Sequence, residues 1–158
     1  MEARLDLLEN PVTTRLVKAL APANRILAES SLPMATQELV KIRVSQINGC
    51  GFCTDMHYKD AIAAGEDPVR LNMVAAWREA TVFTEAERAA LELAEQGTRI
   101  ADAAGGVPDD VWRAAEKHFD EEQLGALVAV ISLINVYNRF NVIIQQPAGF
   151  YQPGMKFG

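Results

Sequence analysis

A chain of 158 residues fits one domain, and a hydrophobic share of 49% with 23% charged residues describes a folded globular protein rather than a disordered one. The net charge of −6, with no basic run, argues against nucleic acid or an anionic membrane as partner, since both reward clustered Lys and Arg. The first residues carry Glu2, Asp6 and Glu9 and lack the basic head and apolar stretch of a signal peptide, so the two cysteines are expected in a reducing cytoplasm.

The apolar pattern is helical nearly throughout. A first helix is expected from about Val12 to about Ser30, with Leu16, Leu20, Ile26 and Leu27 on one face and Pro22 kinking or dividing it. Ser31-Leu32-Pro33 breaks the chain, and a second helix follows from Thr36 to Asn48, where Asn48-Gly49 signals a turn. A third starts near Gly51–Cys53 and ends at Gly65, a residue suited to the position just past a helix. Asp67-Pro68 reads as the cap and first residue of a helix carrying Leu71, Val74, Ala75 and Trp77. Thr84 with Glu87 three residues on forms a capping box that opens a helix to about Ile100. Gly105-Gly106 marks a loop, Pro108 starts a helix ending near His118, and Asp120 with Gln123 caps a long apolar helix to about Ile144.

That last stretch is interrupted by Ser132, Asn135, Asn138, Arg139 and Asn141. A bilayer span needs roughly 20 mostly apolar residues, so the stretch reads as a buried helix and no membrane is expected. The three Asn and Arg positions 135, 138 and 139 are expected in buried or interface hydrogen bonds, and Trp77 and Trp112 in the core or an interface. Nothing alternates at period two, so the fold class is all-α, a single helical domain over residues 1–146 followed by an extended Pro/Gly-rich arm over 147–158. The apolar share and the long apolar helix leave surface to bury between subunits, so a homo-oligomer is expected.

The segment from Glu38 to His57 carries the chemistry. A Cys50-Gly-Phe-Cys53 pair at a helix start can close a disulfide inside one turn, and the partial positive charge of a helix N-terminus favours thiolate over thiol. His57 lies four residues after Cys53, on the same helical face, where an imidazole can take the thiol proton directly or through a water. If the helices before and after residue 48 pack as an antiparallel hairpin, Glu38 and His57 both lie roughly 14–15 Å from the turn at about 1.5 Å rise per residue. They can then be level, and a carboxylate facing His57 orients the ring and stabilises its charged form. The spacing permits a Glu38–His57–Cys53 relay with Cys50 as second thiol. The alternatives are a zinc site made of the same four residues, a His57 that simply packs, and a Glu38 that is an ordinary solvated carboxylate. Zinc usually draws its ligands from two separated pairs, so no metal is expected, and with no Gly-rich nucleotide loop no cofactor is expected either.

The pattern Glu-x11-Cys-x2-Cys-x3-His resembles the alkylhydroperoxidase D type within the carboxymuconolactone decarboxylase-like superfamily. So do Ser45-Gln46-Ile47-Asn48-Gly49-Cys50, Asp55-Met56-His57, Ala75-Ala76-Trp77-Arg78-Glu79, the run from Phe83 to Ala90, and Ile134-Asn135-Val136-Tyr137-Asn138-Arg139. The likeness covers about Met1 to Ile144. It implies an all-helical, usually trimeric or hexameric protein that reduces peroxides with a dithiol or protein-thiol reductant. Carried onto this chain, Cys53 would attack peroxide, Cys50 would be the resolving and more exposed thiol, His57 the proton acceptor and Glu38 its partner. The family pattern often has a second His just before the second Cys, where this chain has Phe52, which removes one proton carrier. Rival readings are the decarboxylase-type lyase that names the superfamily, which needs no cysteine pair, and a non-enzymatic redox sensor.

Overall fold

The computed structural model describes residues 2–155. Among these residues the chain forms seven α-helices, one short 3-10 turn and no strand. The helices are α1 (Thr13–Glu29), α2 (Met34–Asn48), α3 (Gly51–Ala63), α4 (Pro68–Met73), α5 (Glu85–Thr98), α6 (Asp109–Glu116) and α7 (Glu121–Ile144). The fold is all-α.

Local chemistry sets the boundaries. Thr84 and Glu87 form a reciprocal capping box at the start of α5, and Asp120 and Gln123 form another at the start of α7. Asp67 accepts from the Val69 amide at 2.7 Å and opens α4 with Pro68 in its first turn. That helix is shorter than expected: it gives way after Met73 to a 3-10 turn at Val74–Ala76. Gly49 closes α2 at φ +69°, a left-handed conformation that favours glycine, so the chain reverses at once into α3.

Helix α2 is the centre of the bundle and packs against α3, α5 and α7. It is buried on several sides, with Thr36, Gln37, Glu38, Leu39, Val40, Ile42, Val44 and Ser45 all inside. This explains its mixed hydrophobic pattern: a helix surrounded by neighbours shows no single apolar stripe. Helix α7 is long and apolar enough to cross a membrane. Its inward stripe of Leu127, Val130, Ile131, Ile134 and Asn138 lies in the bundle core.

Two polar knots fix the arrangement. Asn48 donates to Asn135 and to Asn138 at 2.9 Å each, and fully buried Asn138 donates to Ser45 at 3.1 Å. These bonds tie α7 to the C-terminal end of α2. On the other side, Glu95 of α5 accepts from the Trp77 indole at 2.9 Å and pairs with Arg43 and Arg78. Within these two knots each buried polar side chain is bonded to another, which is the condition for placing it there.

Pro22 does not divide α1, which runs through it as one helix. Helix α1 turns Leu27 inward and leaves Leu16 (45% exposed) and Ile26 (66%) outside, because its inner face follows Thr13, Val17, Leu20 and Leu27. Trp112 lies outside the core of the chain: it is 37% exposed on α6 and donates to Glu116 one turn on. The Pro/Gly-rich tail has no regular secondary structure over residues 147–155 and lies folded back on α3; its last three residues, 156–158, fall outside the described residues.

Candidate functional site

The α2–α3 hairpin assembles the site. The reversal at Gly49 makes Cys50 the N-cap of α3, with its backbone extended and its sulfur accepting from the Cys53 amide at 3.2 Å. Cys50 and Cys53 are joined by a disulfide across this first turn, their Cα atoms 5.4 Å apart. The pair therefore stands on the positive end of a helix dipole, which lowers the cost of a thiolate when the bond is reduced. The resemblance implied a more exposed Cys50. In this oxidised form the two are equally enclosed, at 2% and 1% exposure, because both belong to the main apolar core.

One turn beyond Cys53, His57 Nδ1 lies 2.9 Å from Glu38 Oε2. The structure thus brings Glu38 of α2 and His57 of α3 together across the hairpin. A carboxylate at that distance accepts a hydrogen bond from Nδ1–H, leaving Nε2 as the nitrogen free to accept a proton. The other Glu38 oxygen receives Lys41 Nζ at 2.8 Å. Burial alone would raise the Glu38 pKa, but the hydrogen bond and charge of His57, with Lys41 behind them, outweigh it and hold the carboxyl at about 2. Glu38 is a fixed anion under a buried imidazole.

Two contributions were not foreseen in the sequence. Asn141 of α7 directs Nδ2 at the Cys53 sulfur, 3.4 Å away, while donating to the Tyr137 carbonyl at 3.0 Å. It continues the inward stripe through Ile134 and Asn138, so its spacing was a signal, but only the crossing of α7 over α3 gives it a target. The second is the tail. Phe52, between the cysteines, packs against Phe150 (centroids 5.6 Å apart) and Tyr151 (6.5 Å). Lys59 donates to the carbonyls of Gly149 and Tyr151, Asp55 receives the Gly149 amide at 3.0 Å, and the Tyr151 hydroxyl donates to Asp60 at 2.7 Å. Burial, and then the Asp60 carboxylate, push the Tyr151 pKa up to about 12.

Cys53, His57, Glu38 and Asn141 all border one cavity of about 860 Å³. Its walls are mainly apolar, from Leu7, Leu27, Met56, Leu133, Phe140 and Phe150 among others. Cys50 borders a different cavity, on the far side of the disulfide. No group of three or more His, Cys, Asp or Glu side chains among the described residues is placed to hold a metal ion.

This fold has known counterparts. Residues 14–96 match the carboxymuconolactone decarboxylase family, and the chain belongs to that family, in its alkylhydroperoxidase D-like branch. The uncharacterized protein YdfG of Bacillus subtilis is 41% identical over 126 residues, 80% of this chain and 84% of that protein. The uncharacterized protein YnjA of Escherichia coli is 34% identical over 120 residues, 75% of this chain and 64% of that protein. Among solved structures, a protein of unknown function from Agrobacterium tumefaciens, provisionally named for AhpD-type antioxidant defence, superposes with a TM-score of 0.87. It is 31% identical, over 95% of this chain and all of that one.

Proposed function

We propose that the chain is a thiol-dependent peroxidase that reduces hydrogen or organic peroxides through a dithiol–disulfide cycle at Cys50 and Cys53. The observation that carries this reading is the Glu38–His57 hydrogen bond of 2.9 Å, one turn from a cysteine pair that already forms a disulfide. In the reduced protein His57 Nε2 takes the Cys53 thiol proton, and the Glu38 carboxylate stabilises the imidazolium. The Cys53 thiolate attacks one peroxide oxygen, the O–O bond breaks, and the alcohol or water leaves with a proton returned through His57. Cys53 is now a sulfenic acid. The Cys50 thiol attacks its sulfur, water leaves, and the disulfide re-forms. An external thiol reductant, needed in a reducing compartment such as the cytoplasm, restores the dithiol.

The lyase chemistry that names the family would use Glu38 and His57 as acid and base and leave the cysteines idle. The two readings separate on one variant. Cys53→Ser should abolish peroxide consumption with dithiothreitol as reductant, whereas Cys50→Ser should permit one attack and stop. Mass spectrometry after a peroxide pulse should then find sulfenic acid on Cys53 of the Cys50→Ser variant. Undiminished turnover in Cys53→Ser would refute the peroxidase reading; oxidation trapped on Cys50 in that variant would exchange the two roles.

A further inference from the structure

In a cysteine pair at the start of a helix, the surroundings decide which sulfur ionises. The helix dipole by itself favours the outer one. Cys50 is the N-cap of α3 and its sulfur already accepts from the Cys53 amide at 3.2 Å, whereas Cys53 lies inside the first turn. A thiolate at Cys53 therefore needs a donor of its own, and α7 provides one. Asn141 Nδ2 lies 3.4 Å from the Cys53 sulfur and 3.0 Å from the Tyr137 carbonyl oxygen. The second contact fixes the first. A carbonyl can only accept, so the nitrogen of the side-chain amide must face Tyr137, and that nitrogen carries two hydrogens, one for each acceptor.

We propose that Asn141 is a catalytic residue, a fixed neutral amide that donates to the Cys53 sulfur and stabilises its thiolate, so that Cys53 rather than Cys50 becomes the nucleophile. The assignment rests on the redox reading above for the reaction that this sulfur undergoes. In the disulfide the sulfur is a weak acceptor. In the reduced protein the thiolate is a charged one, and the same donor gains strength without moving. The Cys53 proton goes to His57; Asn141 keeps both of its own and changes charge at no stage. Its position is built into the helix that carries it. Asn138, three residues earlier, is bonded to Ser45 and Asn48 and locks this part of α7 onto α2, so residue 141 is held over the start of α3 by a rigid element.

The charges around Cys53 make a direct donor necessary. Among the described residues that border its cavity, four carboxylates, Glu2, Asp6, Glu38 and Asp60, stand against one lysine, Lys41, a balance that disfavours a further anion. These groups are also committed elsewhere: Glu38 to His57 and Lys41, Asp60 to Tyr151, and Asp6 to the Leu8 and Glu9 amides. Tyr137 receives Asn24, and on the other side of α3 Asp55 is paired with Lys59.

The test follows ionisation of Cys53 itself. The pre-reduced protein is alkylated with iodoacetamide across a range of pH, and fragment-ion mass spectrometry assigns the label to Cys53 or Cys50. Asn141→Leu keeps the bulk of the side chain and removes the donor. A hydrogen bond to a charged group is worth a factor of roughly 10–100 in ionisation. A thiolate's nucleophilicity rises with its basicity with a slope of about one half. Below the midpoint of the rate–pH curve the Leu variant should therefore react at Cys53 about three- to tenfold more slowly than the wild type, and well above it about three- to tenfold faster. The two curves should cross, and with limiting reagent at neutral pH label should move from Cys53 toward Cys50. Asn141→Asp, which sets a carboxylate against the sulfur in a side chain of the same shape, should move the midpoint further up, and it carries the test if the Leu variant fails to fold. A merely structural role would lower the rate at every pH and give no crossing. Variant curves that superimpose on the wild type, or that are lowered equally throughout, overturn the proposal. Alkylation needs no peroxide. Crossed curves in a protein that never consumes peroxide would sink the peroxidase reading and leave this role standing; superimposed curves with peroxide turnover intact would do the opposite.

Discussion

Glu38 is held at about 2 from an ordinary value of 4.5 while almost fully enclosed, so the site depends on a charge that the fold must keep. A carboxyl depressed in the folded state stabilises the fold above its unfolded pKa, and that stability is lost as pH falls through the folded value. The window is therefore from 4.5 down to about 2. The shift is worth on the order of 3 kcal/mol at neutral pH. Glu38→Gln should lower stability in urea at pH 7, and the gap from the wild type should narrow steadily as the pH is taken to 2; a gap independent of pH would contradict it. On the peroxidase reading proposed above, the same pair governs reactivity. His57→Gln should slow thiol alkylation near neutrality by roughly 10²–10⁴-fold, as lost general-base help does. The deficit should shrink as pH rises, because hydroxide then removes the proton unaided. Glu38→Gln should give a milder version of the same curve, since the base stays but loses its orienting anion. Superimposable rate–pH curves for the three proteins would leave the helix N-terminus as the source of Cys53 reactivity.

At the scale of elements, what could be read in advance was whatever depends on local spacing. The capping pairs Thr84–Glu87 and Asp120–Gln123 announce helices because each satisfies amides within its own first turn. The meeting of Glu38 with His57 follows from the rise of two helices away from a glycine turn. Helix α1 was harder, since Leu16 and Ile26 fit an apolar stripe as well as Val17 and Leu20 do, and only the neighbours decide which stripe turns inward. Contacts between distant segments left no local trace. Asn141 needs α7 to cross α3, and the tail, aperiodic and rich in Pro and Gly, carries no pattern that says where it lies. Its attachment makes a prediction of its own. Tyr151→Phe removes the 2.7 Å bond to Asp60, a hydrogen bond to a charged acceptor worth roughly 1.5–3 kcal/mol. Hydrogen exchange in residues 147–155 should quicken in that variant while the amides of α2 and α7 keep their protection. Unchanged exchange in the tail would show that its other contacts, those of Phe52, Asp55 and Lys59 among them, suffice to hold it.

For the whole molecule, the outer faces of α1 and α7 carry several exposed apolar side chains. Leu16, Ile26, Val128, Val136, Val142 and Ile143 are exposed, Ile143 at 67%. Burying such positions is the ordinary driving force for subunit association. Light scattering at micromolar concentration should report a trimer or hexamer, and Ile26→Glu with Ile143→Glu should shift the mass downward without loss of helical signal; a wild-type monomer would remove the oligomer from the account. One feature of the bundle bears on how such chains diverge. Glu2, Asp6 and Leu8 near one end, and Pro147 and Phe150 near the other, border the same large cavity as Cys53, and the Arg4 amide is bonded to the Ile144 carbonyl at 2.8 Å. Segments far apart in the sequence thus share one wall, and substitutions in residues 2–8 or 147–150 should alter the shape of the cavity that Cys53 borders.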